Sequence, residues 1–203
     1  MNVGALSDAI ERRRQLVGLP PSVALFFERA RRTAVRRGDD WSLSSATGPR
    51  ALAFVLREAR GQRSFAEIGT GTAWAAIAAA LAEPERQVFS FDPVVRPERE
   101  WYLALAAPSA RRRIELVQGI GETGPAHGQR VDFVFVDGSH ECDRTIATFE
   151  AWRRALAPGG AIAFHDWRNE AWPGVTQAIE ALGLRGQVRG DVFVWRARPR
   201  FAR

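Results

Sequence analysis

The feature that most constrains the fold of this chain is a regular alternation of short apolar segments and helical segments from residue 64 onward. Each apolar segment is only a few residues long, and each ends at a glycine or an acidic residue. Segments without polar alternation are typical of strands buried on both faces, in a parallel sheet covered by helices. The predicted parallel strands are SFAEIG, QVFSFD, RIELVQG, VDFVFVD and GGAIAFHD.

The last part of the chain follows a different pattern. Two short apolar stretches, 184–188 and 192–196, are separated by only a few residues that include Gly190 and Asp191. So short a connection can join only antiparallel neighbours. The sequence therefore predicts a Rossmann-like, doubly wound α/β sheet of seven strands, mostly parallel, with a reversed antiparallel last strand and helices on both faces.

The chain before residue 61 is predicted to be a helical extension. Apolar residues recur at helical spacing after Pro20 and Pro21, and Gly38 is a natural stop. The stretch WSLSSATG is interpreted as a polar loop, and a second helix is expected over 49–60. We expect residues 1–60 to contact substrate or a partner subunit and residues 61–203 to form the core. Ser44, Ser45 and Thr47 are expected to cap the second helix, with a contact to a cofactor carboxylate as the alternative.

Composition narrows the function classes. The net charge is +6, but all 29 basic residues are arginine and they are scattered beside acidic residues, so no nucleic-acid partner is expected. Cys142 is the only cysteine, which excludes an intramolecular disulfide and makes a reducing compartment the best fit. The longest uncharged run, 68–82, is too short for a membrane span, and the first residues do not resemble a signal peptide. We therefore expect a cytoplasmic protein.

The first chemical motif is the strand, glycine turn and helix start of FAEIGTGTAW. Gly69 and Gly71 allow a sharp turn and a close approach of backbone to ligand. Glu67, directly before them, would repel a pyrophosphate but attract a cationic ligand. Asp92 ends the next strand, 23 residues after Gly69, where a carboxylate can accept hydrogen bonds from both hydroxyls of a ribose. The pattern favours a cationic adenosine ligand.

These residues resemble those of the class I S-adenosylmethionine (SAM)-dependent methyltransferases, whose glycine motif reads E-x-G-x-G-x-G. The resemblance covers residues 64–197, with Ala73 in place of the third glycine. It implies that the methionine end of SAM is bound by Glu67, Gly69, Thr70 and Gly71, that Asp92 holds the ribose, and that Gly121 and Glu122 lie near the adenine. It also adds Asp137 to the cofactor site.

A polar cluster follows the fourth and fifth predicted strands. Asp137 ends VDFVFVD, His140 follows in the sequence DGSH, and His165 with Asp166 end the next strand. Because parallel strands deliver such residues into one crevice, we expect a candidate active site there. Carboxylates with histidine can hold a divalent cation, and His140 is a candidate general base. Trp41, Trp167 and Trp172 are expected to line its rim or to pack in the core.

The D-G-x-H motif is similar to that of metal-dependent small-molecule O-methyltransferases, particularly those acting on macrolide sugars. This resemblance implies metal ligation by Asp137, His165 and Asp166, catalysis by His140 with Asp137, and a hydroxylated small molecule as acceptor. Magnesium or manganese is the implied cation, although His165 replaces an acidic residue and imidazole suits softer cations. The oligomeric state is left open, and a homo-oligomer is compatible with the sequence.

Three other functions compete with this one. A metal-independent methyltransferase acting on nitrogen or nucleic acid fits the arginine content, but DGSH stands where an asparagine-proline motif is expected. An NAD-dependent oxidoreductase requires G-x-G-x-x-G, which the spacing of Gly69, Gly71 and Ala73 does not match. A non-catalytic SAM-binding protein has no use for His140, His165 and Asp166 together.

Overall fold

A computed structural model describes residues 16–126 and 128–197; the helical prediction for the first 15 residues lies outside this description. The strands are β1 (Ser64–Ile68), β2 (Gln87–Asp92), β3 (Ile114–Gln118), β4 (Val131–Val136), β5 (Leu156–Phe164), β6 (Gln187–Arg189) and β7 (Val192–Arg196). The α-helices are α1 (Pro21–Arg37), α2 (Asp40–Ser45), α3 (Pro49–Glu58), α4 (Trp74–Ala82), α5 (Arg99–Leu103), α6 (Pro108–Arg111), α7 (Cys142–Ala155) and α8 (Pro173–Ala181). A single 3₁₀ turn, Gly121–Thr123, follows β3.

The seven strands form one sheet in the order β3-β2-β1-β4-β5-β7-β6. The first five are parallel, and β7 runs antiparallel to both β5 and β6. The predicted fold class is therefore confirmed. Ile68 pairs with Val136, and Val136 pairs with Phe164, so β1, β4 and β5 end at one level. This register brings the residues that follow the three strands side by side, at the position where the sheet changes its winding direction.

Helices cover both faces because the strands alternate between two apolar clusters. Phe65, Phe133 and Phe135 pack with α1, α3 and α4, whereas Val134 and Phe164 pack with α7 and α8. Neither face of the central strands is exposed to water, which explains why their sequences lack polar alternation. The helices of the described residues are too short or too polar to cross a lipid bilayer.

The N-terminal helices pack on the chain's own core. Phe27 of α1 meets Trp74 of α4 edge to face, with ring centroids 5.1 Å apart. Helix α1 ends at Gly38, whose φ of 66° is left-handed, as expected of the predicted stop. The apolar face of α1 is thus buried against α4. A role of this extension in substrate or subunit contacts stays a prediction.

Two local predictions are wrong. The stretch interpreted as a polar loop contains α2, because Asp39 caps a helix by accepting a hydrogen bond from the Ser42 N–H at 3.0 Å. Ser44, Ser45 and Thr47 do not cap α3, whose N-cap is Gly48 and carries no side-chain cap. The serines donate to carbonyls within α2, and Thr47 donates to the side chain of Asp137, directly after β4.

The segment 98–107, EREWYLALAA, is helical over only part of its length. It contains only α5, and α6 begins at Pro108. Ala107 has an extended ψ of 142°, because the proline ring disfavours helical geometry at the preceding residue. Arg99, the first residue of α5, is buried and donates to the backbone carbonyls of Gly71 and Val94.

Candidate active site

A cleft of about 620 Å³ opens above the carboxyl ends of β1, β2, β4 and β5. Its size falls within the range of small-molecule binding sites. It is lined by every residue assigned to a site from the sequence: Glu67, Gly69, Thr70, Gly71, Asp92, Gly121, Glu122, Asp137, His140, His165 and Asp166. The predicted cofactor loop and the predicted polar cluster therefore share one cavity.

The glycine loop after β1 lies directly against the loop after β4. Gly69 has φ 99°, and a Cβ there would come within 2.1 Å of the Asp137 carbonyl oxygen. Only glycine fits this contact, which joins the cofactor loop to the polar cluster. Ala73 also has a positive φ, 69°, and is fully buried. An alanine pays about 1 kcal/mol for this conformation, which is the physical reason a third glycine is favoured there.

Glu67 is a buried carboxyl at the end of β1. The hydroxyl of Ser90 on β2 bridges its Oε2 atom to the Thr70 hydroxyl. Burial raises the pKa of Glu67 to about 8, and the charges of Asp137 and Asp92 act in the same direction. A cation entering the cleft would stabilise the ionised form of Glu67 and lower this pKa. The group is therefore suited to a positively charged ligand.

Asp92 fastens the loops that follow β1 and β2. Its Oδ2 atom accepts a hydrogen bond from the Gly71 N–H at 2.8 Å, and Oδ1 accepts one from the Val94 N–H at 2.8 Å. Arg99 forms an ion pair with Oδ2 at 3.1 Å and donates to the Gly71 carbonyl at 2.6 Å. The carboxylate therefore shapes the loop as well as lining the cleft.

His165 lies within a ring of three carboxylates. Its Nδ1 is 2.8 Å from Asp137 Oδ1 and 3.3 Å from Asp166 Oδ2, and its Nε2 is 3.4 Å from Asp191 Oδ2. Burial alone lowers the pKa of a histidine, but Asp137, with Asp166 and Asp191, outweighs burial and raises the pKa of His165 to about 12. With carboxylates at both ring nitrogens, His165 is an imidazolium near neutral pH.

His140 and Asp166 form a second contact in the cluster. His140 Nε2 is 2.8 Å from Asp166 Oδ2, and Asn169 donates to Oδ1 at 2.6 Å. Burial raises the pKa of Asp166, but hydrogen bonds from His140 and His165 outweigh it and hold the pKa far below its usual range. One ligand atom each from Asp137, His140 and Asp166 lie within 4.8 Å of one another.

The rim of the cleft carries two aromatic contacts. Trp172 stacks on His140 with ring centroids 4.3 Å apart. Trp41 of α2 lies over Gly71, and the guanidinium of Arg96 stacks on its indole at 3.4 Å. Trp167, in contrast, is buried against Phe193 in the core. Of the three tryptophans expected at the rim or in the core, two line the cleft and one is buried.

Sequence reasoning missed several residues of the site. Thr47, Arg99 and Asp191 contact Asp137, Asp92 and His165, respectively. None of the three stands in a strand-end motif. The sequence assigned Thr47 only to a helix cap or a cofactor contact, and no local pattern marked Arg99 or Asp191. Glu122 lines the cleft paired with Arg144 at 2.7 Å, an interaction between the 3₁₀ turn and α7 that spacing does not predict.

The sheet order with its reversed last strand, and the acids at the ends of β1 and β2, agree with the resemblance to class I methyltransferases seen in the sequence. The chain belongs to the family described as a methyltransferase domain, whose model matches residues 66–167, half of its length. The prediction of a methyltransferase is confirmed. Among curated proteins none matches this sequence significantly.

Solved structures with the same fold include several O-methyltransferases. One from Bacillus cereus in complex with SAH has a TM-score of 0.68 at 16% identity, covering 92% of this chain and 95% of that one. TomG from Streptomyces achromogenes, involved in tomaymycin synthesis and solved with SAM, has a TM-score of 0.62 at 18% identity, covering 84% and 89%. CalS11, a TDP-rhamnose 3'-O-methyltransferase of calicheamicin biosynthesis, has 0.58 at 18%, covering 71% and 76%. At these identities the likeness establishes the shared fold.

Proposed function

We propose that the protein transfers a methyl group from SAM to a hydroxyl oxygen of a small molecule with the help of a divalent cation. The observation that carries this proposal is the group formed by Asp137, His140 and Asp166 within 4.8 Å, in the same cleft as the glycine loop. Solved neighbours described as O-methyltransferases support the oxygen acceptor.

SAM would supply an electrophilic sulfonium methyl group, and the residues of the first two strand ends fit such a ligand. Glu67 is a buried carboxyl suited to the cationic methionine end, beside Gly69, Thr70 and Gly71. Asp92 retains acceptor capacity for ribose hydroxyls, because each carboxylate oxygen has two lone pairs. Gly121 and Glu122 line the far part of the cleft, which suits the adenine.

The donor set of the polar cluster fits a divalent cation. Two carboxylates and one imidazole suit manganese or zinc better than magnesium, which prefers oxygen ligands. Both ring nitrogens of His165 contact carboxylates, so we propose that His165 orients Asp137 and Asp166 and that His140 provides the nitrogen ligand. This ligand set differs from the sequence-based one by exchanging the two histidines. When bound, the cation would hold and acidify the acceptor hydroxyl.

A second candidate is a metal-independent methyl transfer. His140 and Asp166, at 2.8 Å, form a pair in which the carboxylate orients the imidazole. In this case His140 would take the hydroxyl proton, as the sequence suggested. The imidazolium of His165 already balances Asp137 and Asp166, which favours a cluster that needs no added cation.

The acceptor is proposed to be a small hydroxylated compound. The cleft is concave, and the exposed faces of Trp41 and Trp172 offer apolar walls for an organic ring. Methyl transfer requires an in-line approach of oxygen to the sulfonium methyl, so the chain's main contribution is to position the two reactants. We do not propose a nucleic acid as the acceptor.

Calorimetric titration of the metal-stripped protein tests the proposal. SAM and SAH are titrated first, followed by Mn²⁺, Mg²⁺ and Zn²⁺, into the wild type and the variants Asp166→Asn, His140→Gln and His165→Gln. We expect micromolar cofactor binding in all four proteins. Mn²⁺ binding is expected to be lost in Asp166→Asn and His140→Gln, and to weaken about 10-fold in His165→Gln, which retains the ligands.

Each of the other outcomes shows which part of the proposal is wrong: the ligand set, the metal requirement or the cofactor. Loss of Mn²⁺ binding in His165→Gln but not in His140→Gln would restore the sequence-based ligand set. Cofactor binding without a metal response would favour the metal-independent candidate with His140 as base. If neither SAM nor SAH binds the wild type, the proposed function is wrong.

A further inference from the structure

The loop between α2 and α3 enters the polar cluster through Thr47. This side chain is 5% exposed, and its Oγ1 lies 2.6 Å from Asp137 Oδ2, across 90 residues of sequence. An ionised carboxylate can only accept, so the Thr47 hydroxyl donates. The N-terminal extension therefore contacts a residue of the proposed metal site directly.

Thr47 and His165 together fix the orientation of Asp137. His165 Nδ1 contacts Oδ1 at 2.8 Å, and Thr47 occupies one position on Oδ2. With a partner on each oxygen, the carboxylate cannot rotate about its Cβ–Cγ bond without losing a hydrogen bond. Each oxygen has a second lone pair, so both contacts are compatible with ligation of a cation by Asp137.

The segment that carries Thr47 is itself anchored to the core. Asp39 accepts from the hydroxyls of Ser42 and Tyr102, and Ser42 Oγ lies 2.8 Å from the Thr72 hydroxyl in the glycine loop. Ser42 is fully buried. A donor held on a fixed segment orients its acceptor at little entropic cost, because the threonine has few conformations to lose.

We infer that Thr47 is a positioning residue of the metal site, which orients Asp137 for ligation of the cation. The inference rests on the proposed function, since it requires that a cation binds at Asp137. Thr47 lies outside the strand-end motifs and also outside the family match, which begins at residue 66. The inference therefore gives residues 1–60 a part in the metal site. Partners that orient metal ligands in this way typically change metal affinity 10- to 100-fold, on the order of 1–3 kcal/mol, when removed.

The test compares Thr47→Val, which keeps the shape and removes the hydroxyl, with Thr47→Ser, which keeps the hydroxyl. Thr33→Val is the matched control, since Thr33 is also buried but lies on α1 outside the cleft. Mn²⁺ affinity is measured by calorimetry and electron paramagnetic resonance, and SAH affinity by calorimetry. We expect the Mn²⁺ dissociation constant to rise about 10-fold in Thr47→Val and to return to within about 2-fold in Thr47→Ser. Thr33→Val is expected to bind Mn²⁺ like the wild type, and SAH affinity is expected to stay unchanged in all three variants.

Thermal unfolding separates this role from a loss of packing. If Thr47→Val melts at a much lower temperature than Thr33→Val, the Mn²⁺ affinity of Thr47→Ala is measured instead. Thr47→Ala removes the same hydroxyl donor without adding a methyl group in its place. Unchanged Mn²⁺ affinity in the donorless variants would overturn the inference. So would weakened SAH binding with intact Mn²⁺ binding, because Thr47 would then be a cofactor contact. If the wild type binds SAH but no Mn²⁺, both this inference and the metal-dependent mechanism are wrong. The proposal that the protein is a methyltransferase would remain.

Discussion

The two ends of the sheet differ in the kind of charged group that they gather and in how those groups are paired. At the amino ends of the strands, buried arginines donate to backbone carbonyls where helices finish. At the carboxyl ends, four carboxyl groups, Glu67, Asp92, Asp137 and Asp166, gather around one cleft. The first arrangement satisfies groups that would otherwise be unpaired, whereas the second concentrates like charges.

Arg86 is the centre of the amino end. Its side chain is fully buried just before β2 and donates to the carbonyls of Gln62 and Ala79, each at 3.1 Å, and of Ala59. Arg113, just before β3, similarly donates to the Ala80 carbonyl at 2.9 Å. The last carbonyls of a helix lack partners within the helix, so these guanidiniums close α3 and α4.

At the carboxyl end, opposite charges offset the repulsion only in part. Arg99 pairs with Asp92, and His165 lies between Asp137 and Asp166. Among the residues that the structure describes, no cationic side chain forms a hydrogen bond with Glu67, and burial raises its pKa to about 8. Binding of a positively charged ligand in the cleft would therefore favour the ionised form of Glu67.

The largest expected effect comes from breaking the amino end. Arg86→Met preserves the length of the side chain but removes the guanidinium donor from three backbone carbonyls, of which that of Ala59 keeps another partner, the Gln62 N–H. Since each unpaired buried polar group is unfavourable by about 1–3 kcal/mol, we expect a loss of about 3–5 kcal/mol in the free energy of unfolding. Urea unfolding followed by circular dichroism measures this loss.

The matched control is Arg111→Met, which removes an exposed arginine paired with Glu100 at 2.8 Å. An exposed pair contributes at most about 1 kcal/mol, so this variant should unfold almost like the wild type. Equal stabilities of the two variants would show that the carbonyl contacts of Arg86 do not stabilise the fold.

An intermediate effect is expected from Glu67→Gln at the carboxyl end. The pKa of Glu67 is raised from the ordinary 4.5 to about 8, so the folded protein holds this proton more tightly than the unfolded chain. The resulting stability is complete below about pH 4.5 and is lost as the pH rises through 8. Between pH 5 and 8 we expect the wild type to lose about 3 kcal/mol more than Glu67→Gln, which cannot ionise.

Urea titrations at several pH values measure this difference. Glu115→Gln provides the control, because it removes a carboxylate from an exposed position of β3. Its pH dependence should parallel that of the wild type. If Glu67→Gln also parallels the wild type, the buried carboxyl does not carry the proton in the folded protein.

The smallest expected effect distinguishes two stacked arginine–tryptophan pairs. Arg96 stacks on Trp41 at the cleft, at 3.4 Å, and Arg37 stacks on Trp101 outside the cleft, at 4.5 Å. An exposed pair of this kind contributes about 0.5–1 kcal/mol, so Arg96→Gln should weaken SAH binding about 3-fold by loosening Trp41 over the glycine loop. Calorimetry should find no change in Arg37→Gln. Equal SAH affinities in both variants would exclude a role of the Arg96 stack in cofactor binding.

Much of this molecule follows from local sequence. The continuous apolar strands, the glycine turn after β1 and the hairpin around Gly190 predicted the sheet and its reversed strand correctly. The strand-end residues Glu67, Asp92, Asp137 and Asp166 were found because parallel strands deliver their last residues to the same edge. These features depend on periodicity and on chain direction, and both are readable from neighbouring residues.

Tertiary structure alone decided which polar groups contact one another. The sequence treated His165 as equivalent to an acidic ligand, but only the fold brings Asp191, from the hairpin, against its second nitrogen. Likewise Thr47 was expected to cap a helix, and it reaches Asp137 because the fold places the loop between α2 and α3 against the loop that follows β4. Such contacts join residues far apart in the chain through distances of a few ångströms. A hydrogen bond depends on the distance between donor and acceptor and on the angle at the hydrogen. The spacing of two residues along the sequence determines neither quantity.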